Sequence, residues 1–252
     1  MTPLMELNGL GVRFAGLQAL SDVSFSIEPG QIVAFVGPNG AGKTTLFNAI
    51  SGYTAPTEGT VRFQDHEISG LAASKIAARG IRRTFQNGGL FAQMTVFENV
   101  LTGLHTTTTS TFFGLALNSK TALAAEAEAE RRAWDLIDRM EMRPLADRKA
   151  RDLSGGQQRM LEIVRTVATS PPVLLLDEPA VGLSPTARIK LAELIRDLAR
   201  NLNIAVLLIE HAVELVMSIS DRVVVLNGGR VIADGSPEQV RNDKKVLEAY
   251  LG

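Results

Sequence analysis

Two short apolar runs, residues 173–176 and 204–209, each stop abruptly at charge: Asp177-Glu178 after the first and Glu210-His211 after the second. Unbroken runs of about four to eight apolar residues read as strands covered on both faces, the pattern of a parallel sheet. A third run, residues 31–36, is rich in β-branched residues. A turn at Glu28-Pro29-Gly30 and a strand over 22–27 precede it, and a glycine-rich loop and a helix over 44–50 follow. Residues 60–63 and Arg83-Thr84-Phe85 read as further short strands.

The middle of the chain changes character. Residues 96–104 fit a short helix, residues 105–119 are threonine-rich around Phe112 and Phe113, and residues 121–140 carry the Ala, Glu and Arg that favour a helix. Asp152-Leu153-Ser154 caps a helix over 156–168. Alternation then returns, with helices at 185–201 and 213–219 and strands at 222–226 and 230–233. Strands separated by helices imply an α/β fold: a mostly parallel sheet with helices on both faces, interrupted by a helical insertion. No internal repeat is present, and the run Thr106–Thr109 reads as a surface loop.

Composition narrows the function classes. The 252 residues carry 26 Lys plus Arg against 27 Asp plus Glu, a net charge of −1, which argues against a nucleic-acid partner. With no cysteine there is no disulfide framework and no thiolate metal site. Residues 1–11 have no basic start and no long apolar run, so no secretory leader is expected. The apolar runs fall far short of the roughly 20 residues that span a bilayer, so a role in a membrane process requires docking on a partner.

Gly37-Pro38-Asn39-Gly40-Ala41-Gly42-Lys43-Thr44 has the spacing G-x-x-x-x-G-K-[ST] between a strand and a helix. Glycines let the backbone curl its N–H groups inward around phosphate oxygens, and the helix N-terminus adds partial positive charge. Lys43 is placed to reach β- and γ-phosphates, the Thr44 hydroxyl to bind Mg²⁺, and Thr45 to contact the α-phosphate. The carboxylates after the run 173–176 belong to the same chemistry, since ligands of open parallel sheets bind at the carboxyl ends of strands. Asp177 faces the Mg²⁺ site, and Glu178 serves as general base for the attacking water.

Leu153-Ser154-Gly155-Gly156-Gln157-Gln158 resembles the signature of ATP-binding cassette proteins. Gln86 stands where that family has its Q-loop, His211 where it has its switch histidine, and Phe14 where an aromatic stacks on adenine. Order and spacing match from Phe14 to about Gly235. The resemblance implies a RecA-like P-loop NTPase core with an N-terminal antiparallel β subdomain and a helical signature subdomain. One domain then fills 1–252, its core at 1–95 and 171–252 and its helical part at 96–170. It also implies a head-to-tail dimer with ATP and Mg²⁺ at the interface. Each nucleotide on one phosphate loop is then capped by the partner's Ser154, Gly155 and Gly156. In the same scheme Gln86 touches Mg²⁺ or the water, and His211 hydrogen-bonds the γ-phosphate. One departure stands out: where the family commonly has Ser-Ala-Leu-Asp, this chain reads Val181-Gly182-Leu183-Ser184, so no role of that aspartate carries over.

Arg83-Thr84-Phe85-Gln86, Phe112-Phe113-Gly114-Leu115, Leu208-Ile209-Glu210-His211 and Ala249-Tyr250-Leu251-Gly252 resemble the larger ATPase subunit of branched-chain amino acid importers. Urea and amide importers and a lipopolysaccharide exporter use close relatives. The partners so implied are transmembrane permease subunits, a second ATPase subunit (paralogue or self) and, indirectly, an extracytoplasmic binding protein, with the chain on the cytoplasmic face of the membrane. Phe85, Phe91, Met94 and Phe97 supply apolar surface for permease docking or for ordinary core packing. A soluble cassette ATPase of translation or DNA repair is the competing class, disfavoured by the single signature and the absence of heptads and of a basic patch. A non-hydrolysing regulator is disfavoured by the presence of Glu178 and His211.

Overall fold

Two sheets form in the compact unit made of Met1–Gln86, Pro172–Val181 and Arg188–Gly252. The computed structural model describes residues 3–84, 89–105 and 120–251. The first sheet is antiparallel, with β1 (Met5–Phe14), β2 (Leu17–Ile27), β4 (Glu58–Phe63) and β5 (His66–Glu67) in the order β2-β1-β4-β5. Its longest ribbon, β1 with β2, shifts register between Leu7 and Leu10, between Leu10 and Val12, and between Val12 and Arg13. Such bulges break the alternation of period two that marks a strand, which is why β1 does not stand out in the sequence.

The second sheet has six strands in the order β10-β9-β3-β8-β7-β6: Arg230–Gly235, Arg222–Asn227, Ile32–Val36, Ala205–Ile209, Val173–Asp177 and Ile81–Arg83. All neighbours are parallel except the β9–β10 hairpin, as the alternation of strands and helices predicts. Every residue of β7 and β8 is buried, which accounts for their unbroken apolar runs. Phe25 of β2, Phe35 of β3 and Phe47 of α1 (Lys43–Ile50) join the two sheets through ring centroids 5.0 and 6.1 Å apart. The expected strand 83–85 begins earlier, at Ile81; Thr84 extends its pairing by donating to the Leu175 carbonyl at 3.0 Å, and Phe85 lies outside the described residues. A six-residue helix α2 (Ala73–Ala78) precedes this strand, and α8 (Pro237–Arg241) and α9 (Lys244–Leu251) close the chain.

The second unit comprises Asn87–Pro171 and Gly182–Ala187. Its helices α3 (Val96–His105), α4 (Lys120–Arg139) and α5 (Gly155–Val167) bury Val96, Val100, Ala133, Ile137, Leu161 and Val164. Phe97 packs on Trp134 at 4.7 Å, with the Arg143 guanidinium 4.6 Å above the same indole. The remaining helices, α6 (Pro185–Arg200) and α7 (Val213–Ile219), follow β7 and β8.

Candidate active site

Strands β3, β6, β7 and β8 run parallel, so the residues that follow them gather at one sheet end, where parallel sheets bind ligands. After β3 comes the loop 37–42. Gly37 has φ 148°, and a Cβ there would fall 2.0 Å from the Leu226 carbonyl oxygen. Gly42 has φ 103°, and a Cβ there would fall 2.8 Å from both the Ala19 oxygen and Leu20 Cδ2. No side chain fits at either position, which is the physical content of the glycine spacing. Asn39 and Gly40 are exposed at the tip, and Pro38 is half-buried. The Ala41 N–H donates to Pro38 O at 3.2 Å, and the Gly229 N–H donates to Ala41 O at 3.1 Å, which fixes the curl.

Lys43 opens α1 and lies buried over this loop, its Nζ donating to the Gly37 and Pro38 carbonyls at 2.8 and 3.0 Å. Burial pushes its ammonium below the ordinary lysine range, while Glu178 and Asp177 pull it back up. Thr44 is exposed and Thr45 half-buried. The first turn of α1 contains no acidic residue and Gly42 supplies no side-chain cap, so its leading N–H groups and its partial positive charge remain for an anion.

Arg83, at the end of β6, donates from one nitrogen to Asp177 Oδ2 at 2.7 Å. Its other terminal nitrogen donates to Asn48 Oδ1 at 2.7 Å and to Ser51 Oγ at 3.2 Å, both on or next to α1. The two strand ends are thereby tied to the helix that follows the phosphate loop. Glu178 adopts φ 48°, and its Oε1 lies 3.0 Å from His211 Nε2. Glu210 is buried and accepts N–H groups from both the Glu178 and the His211 segments. Oxygen donors from Thr44 and Asp177 suit Mg²⁺, which binds proteins through one or two carboxylates and otherwise through phosphate and water. No cluster of three His, Cys, Asp or Glu that could hold a metal ion by itself is found among the described residues.

Phe14 ends β1 opposite Leu17 and is 48 % exposed. It is not a core residue, and it lies at the tip of the ribbon whose Ala19 and Leu20 crowd the Cβ position of Gly42. Ser154, Gly155 and Gly156 belong to the second unit, whereas the phosphate-loop residues belong to the first. Ser154 caps α5 reciprocally with Gln157. A Cβ on Gly155 would meet nothing within 4 Å, so the backbone there faces open space. Gln86, Phe85 and the segment 112–115 lie outside the described residues. Of the remaining apolar set, Phe91 is 49 % exposed under the Arg165 guanidinium, Met94 is exposed and Phe97 is half-buried against Trp134. Ser184, the departure from the family pattern, accepts the Ala187 N–H at 3.3 Å and caps α6.

Two residues of this site lie inside segments that carry the family resemblance, yet the sequence assigns a role to neither of them. Arg83 and Glu210 become visible only when strand ends are brought together; the one hint was a charge directly after an apolar strand, as at Glu210.

Residues 20–181 match the family described as ABC transporter, and residues 230–252 match the branched-chain amino acid ATP-binding cassette transporter family. The chain is 45 % identical to the high-affinity branched-chain amino acid transport ATP-binding protein LivG of Escherichia coli (strain K12), over 99 % of this chain and 98 % of that one. The ADP conformation of MJ1267, an ATP-binding cassette of an ABC transporter, superposes with a TM-score of 0.85 and 31 % identity over the whole of both chains. The cassette MJ0796, solved as a dimer in a post-hydrolysis state with ADP and Pi, matches at a TM-score of 0.74 and 26 % identity, over 92 % of this chain and 98 % of that one.

Proposed function

The chain belongs to the ABC transporter family, and we propose that it is the ATP-hydrolysing subunit that powers import of branched-chain amino acids through separate membrane-spanning subunits. The observation that carries the substrate class is the 45 % identity to LivG across essentially the whole of both chains. The match at 230–252 supports the same class from a segment remote from the phosphate loop.

The chemistry follows from the residues. Loop N–H groups and Lys43 take the β- and γ-phosphates, which replace the Gly37 and Pro38 carbonyls as acceptors for Nζ. Thr44 and Asp177 would hold Mg²⁺, whose charge neutralises the phosphate oxygens when it is bound. Glu178 takes the proton of a water that attacks the γ-phosphorus as the bond to the ADP oxygen breaks. His211, 3.0 Å from Glu178, orients that carboxylate and meets the γ-phosphate. Phe14 stacks on adenine. Ser154 and the N–H groups of Gly155 and Gly156 are used in trans, on the nucleotide of a second cassette; that MJ0796 was solved as a dimer supports the pairing of two cassettes. No helix among the described residues is long and apolar enough to cross a membrane, so we place the subunit at the membrane through the permease, docked by the exposed Phe91 and Met94.

Proteoliposomes that contain the membrane-spanning subunits and this chain test the reading. Leucine uptake should require internal ATP and vanish with Glu178→Gln. ATP turnover coupled to another solute, and not to leucine, isoleucine or valine, would replace the substrate assignment.

A further inference from the structure

We propose that Glu210 is a positioning residue that pins the backbone behind Glu178 to the backbone of His211, so that the base and the imidazole facing it are held together. The proposal rests on the roles given to Glu178 and His211 above.

Glu210 follows the last residue of β8 and is only 3 % exposed. One carboxylate oxygen accepts the Ala180 N–H at 2.9 Å. The other accepts the N–H groups of His211 and Ala212 at 2.8 and 3.1 Å. These three donors lie past the ends of β7 and β8, where the sheet ladder no longer offers carbonyls, and a buried N–H without an acceptor is strongly disfavoured. The last rung is the Glu178 N–H on Ile209 O at 2.8 Å. Beyond it the chain turns at Glu178 itself, in a left-handed conformation that a residue with a Cβ keeps only when its surroundings over-determine it. The bond from Ala180 to Glu210 adds a constraint, past that rung, that reaches across to the neighbouring strand end.

The result is a short closed circuit. The Glu178 carboxylate meets His211 Nε2 at 3.0 Å, while the backbones that carry both side chains converge on one buried carboxylate. A carboxylate suits this place because both oxygens accept; an amide would turn a donor toward an N–H. Neither Glu178 nor His211 needs Glu210 for its chemistry. Both need it for their mutual geometry, and small displacements in an active site are costly in rate.

Glu210→Gln keeps shape and size and breaks one side of the pin. The expected result is a fall in kcat of about tenfold or more, with the Kd for a fluorescent ATP analogue unchanged within about threefold. The carbon-bound ring-proton signals of His211 should shift in the same variant, with those of His66 unmoved. Glu210→Asp, which keeps the charge but is too short to reach both loops, should behave alike. Unchanged kcat and unchanged His211 signals in either variant overturn the proposal. Amide exchange in the unsubstituted protein is a measurement that no folding defect can spoil: the Ala180 and Ala212 amides should be protected to a similar degree, and rapid exchange at Ala180 alone overturns the pin. If instead Glu178→Gln and His211→Ala turn over as fast as wild type, the roles of those two residues fail, whatever Glu210 does.

Discussion

The Arg83 guanidinium lies 2.7 Å from the Asp177 carboxylate, in a pair whose side chains are 8 % and 11 % exposed. Asp177, the proposed Mg²⁺ ligand, is therefore already held by a cation that also grips Asn48 and Ser51. Breaking one partner of such a buried pair leaves an uncompensated charge, typically at a cost of about 3–5 kcal/mol. Urea unfolding of Arg83→Ala should show a loss of that order. Arg83→Lys should recover little of it, because an ammonium lacks the planar fork that reaches Asp177 and Asn48 together. The double variant Arg83→Met/Asp177→Leu should recover most of the stability and none of the ATPase activity.

The burial of Lys43 has a pH signature. Its folded-state pKa lies below the ordinary 10.5 because burial outweighs the pull of Glu178 and Asp177. Between the folded pKa and 10.5 the unfolded chain binds more protons, so nucleotide-free stability gains from this group as pH rises through that window. Below the window the full penalty of burying the ammonium applies. Thermal unfolding of wild type and Lys43→Met side by side should therefore show wild type gaining relative to the variant toward pH 10.5. A constant difference would contradict the assignment.

The exposure of Phe14 and its proposed stacking role predict a change confined to adenine. Phe14→Ala should leave unfolding within about 1 kcal/mol of wild type, since an exposed side chain contributes little to the core. ATP should bind roughly 5- to 150-fold more weakly, the equivalent of about 1–3 kcal/mol of base stacking. Inorganic tripolyphosphate, which has no base, should bind both proteins alike in a competition titration.

Much of this was legible along the chain, and the omissions have a common cause. The strands β7 and β8 are legible because burial on both faces leaves no polar position before Asp177 and Glu210, and the phosphate loop because its glycines are sterically required at Gly37 and Gly42. The strand β1 is not, because its register shifts interrupt the alternation that would have marked it. Arg83 and Glu210 take their meaning from partners 94 and 30 residues away, Asp177 and Ala180. Sequence periodicity is blind to such pairings. Ser184 looked like a lost carboxylate and proves to be a helix cap, a role that serine fills as well as aspartate does.

Gly155 offers a test of the signature that spares the fold. A Cβ there meets nothing, and an acidic side chain in the first turn of a helix is favourable. Gly155→Asp should therefore melt at or slightly above the wild-type temperature and still bind ATP. Its carboxylate repels the γ-phosphate in trans, so ATPase activity should fall by about two orders of magnitude or more. Retained activity would remove the signature from the account.

The central claim is that two cassettes close on ATP and that Glu178 ends the closed state by activating water. The most direct measurement is the solution mass of Glu178→Gln with and without Mg-ATP, beside wild type and Lys43→Ala. The account predicts that the Glu178→Gln mass doubles only with Mg-ATP, that wild type returns to the single-cassette mass as ATP is consumed, and that Lys43→Ala never doubles. A Glu178→Gln protein that binds ATP yet keeps the single-cassette mass would contradict closure between two copies of this chain.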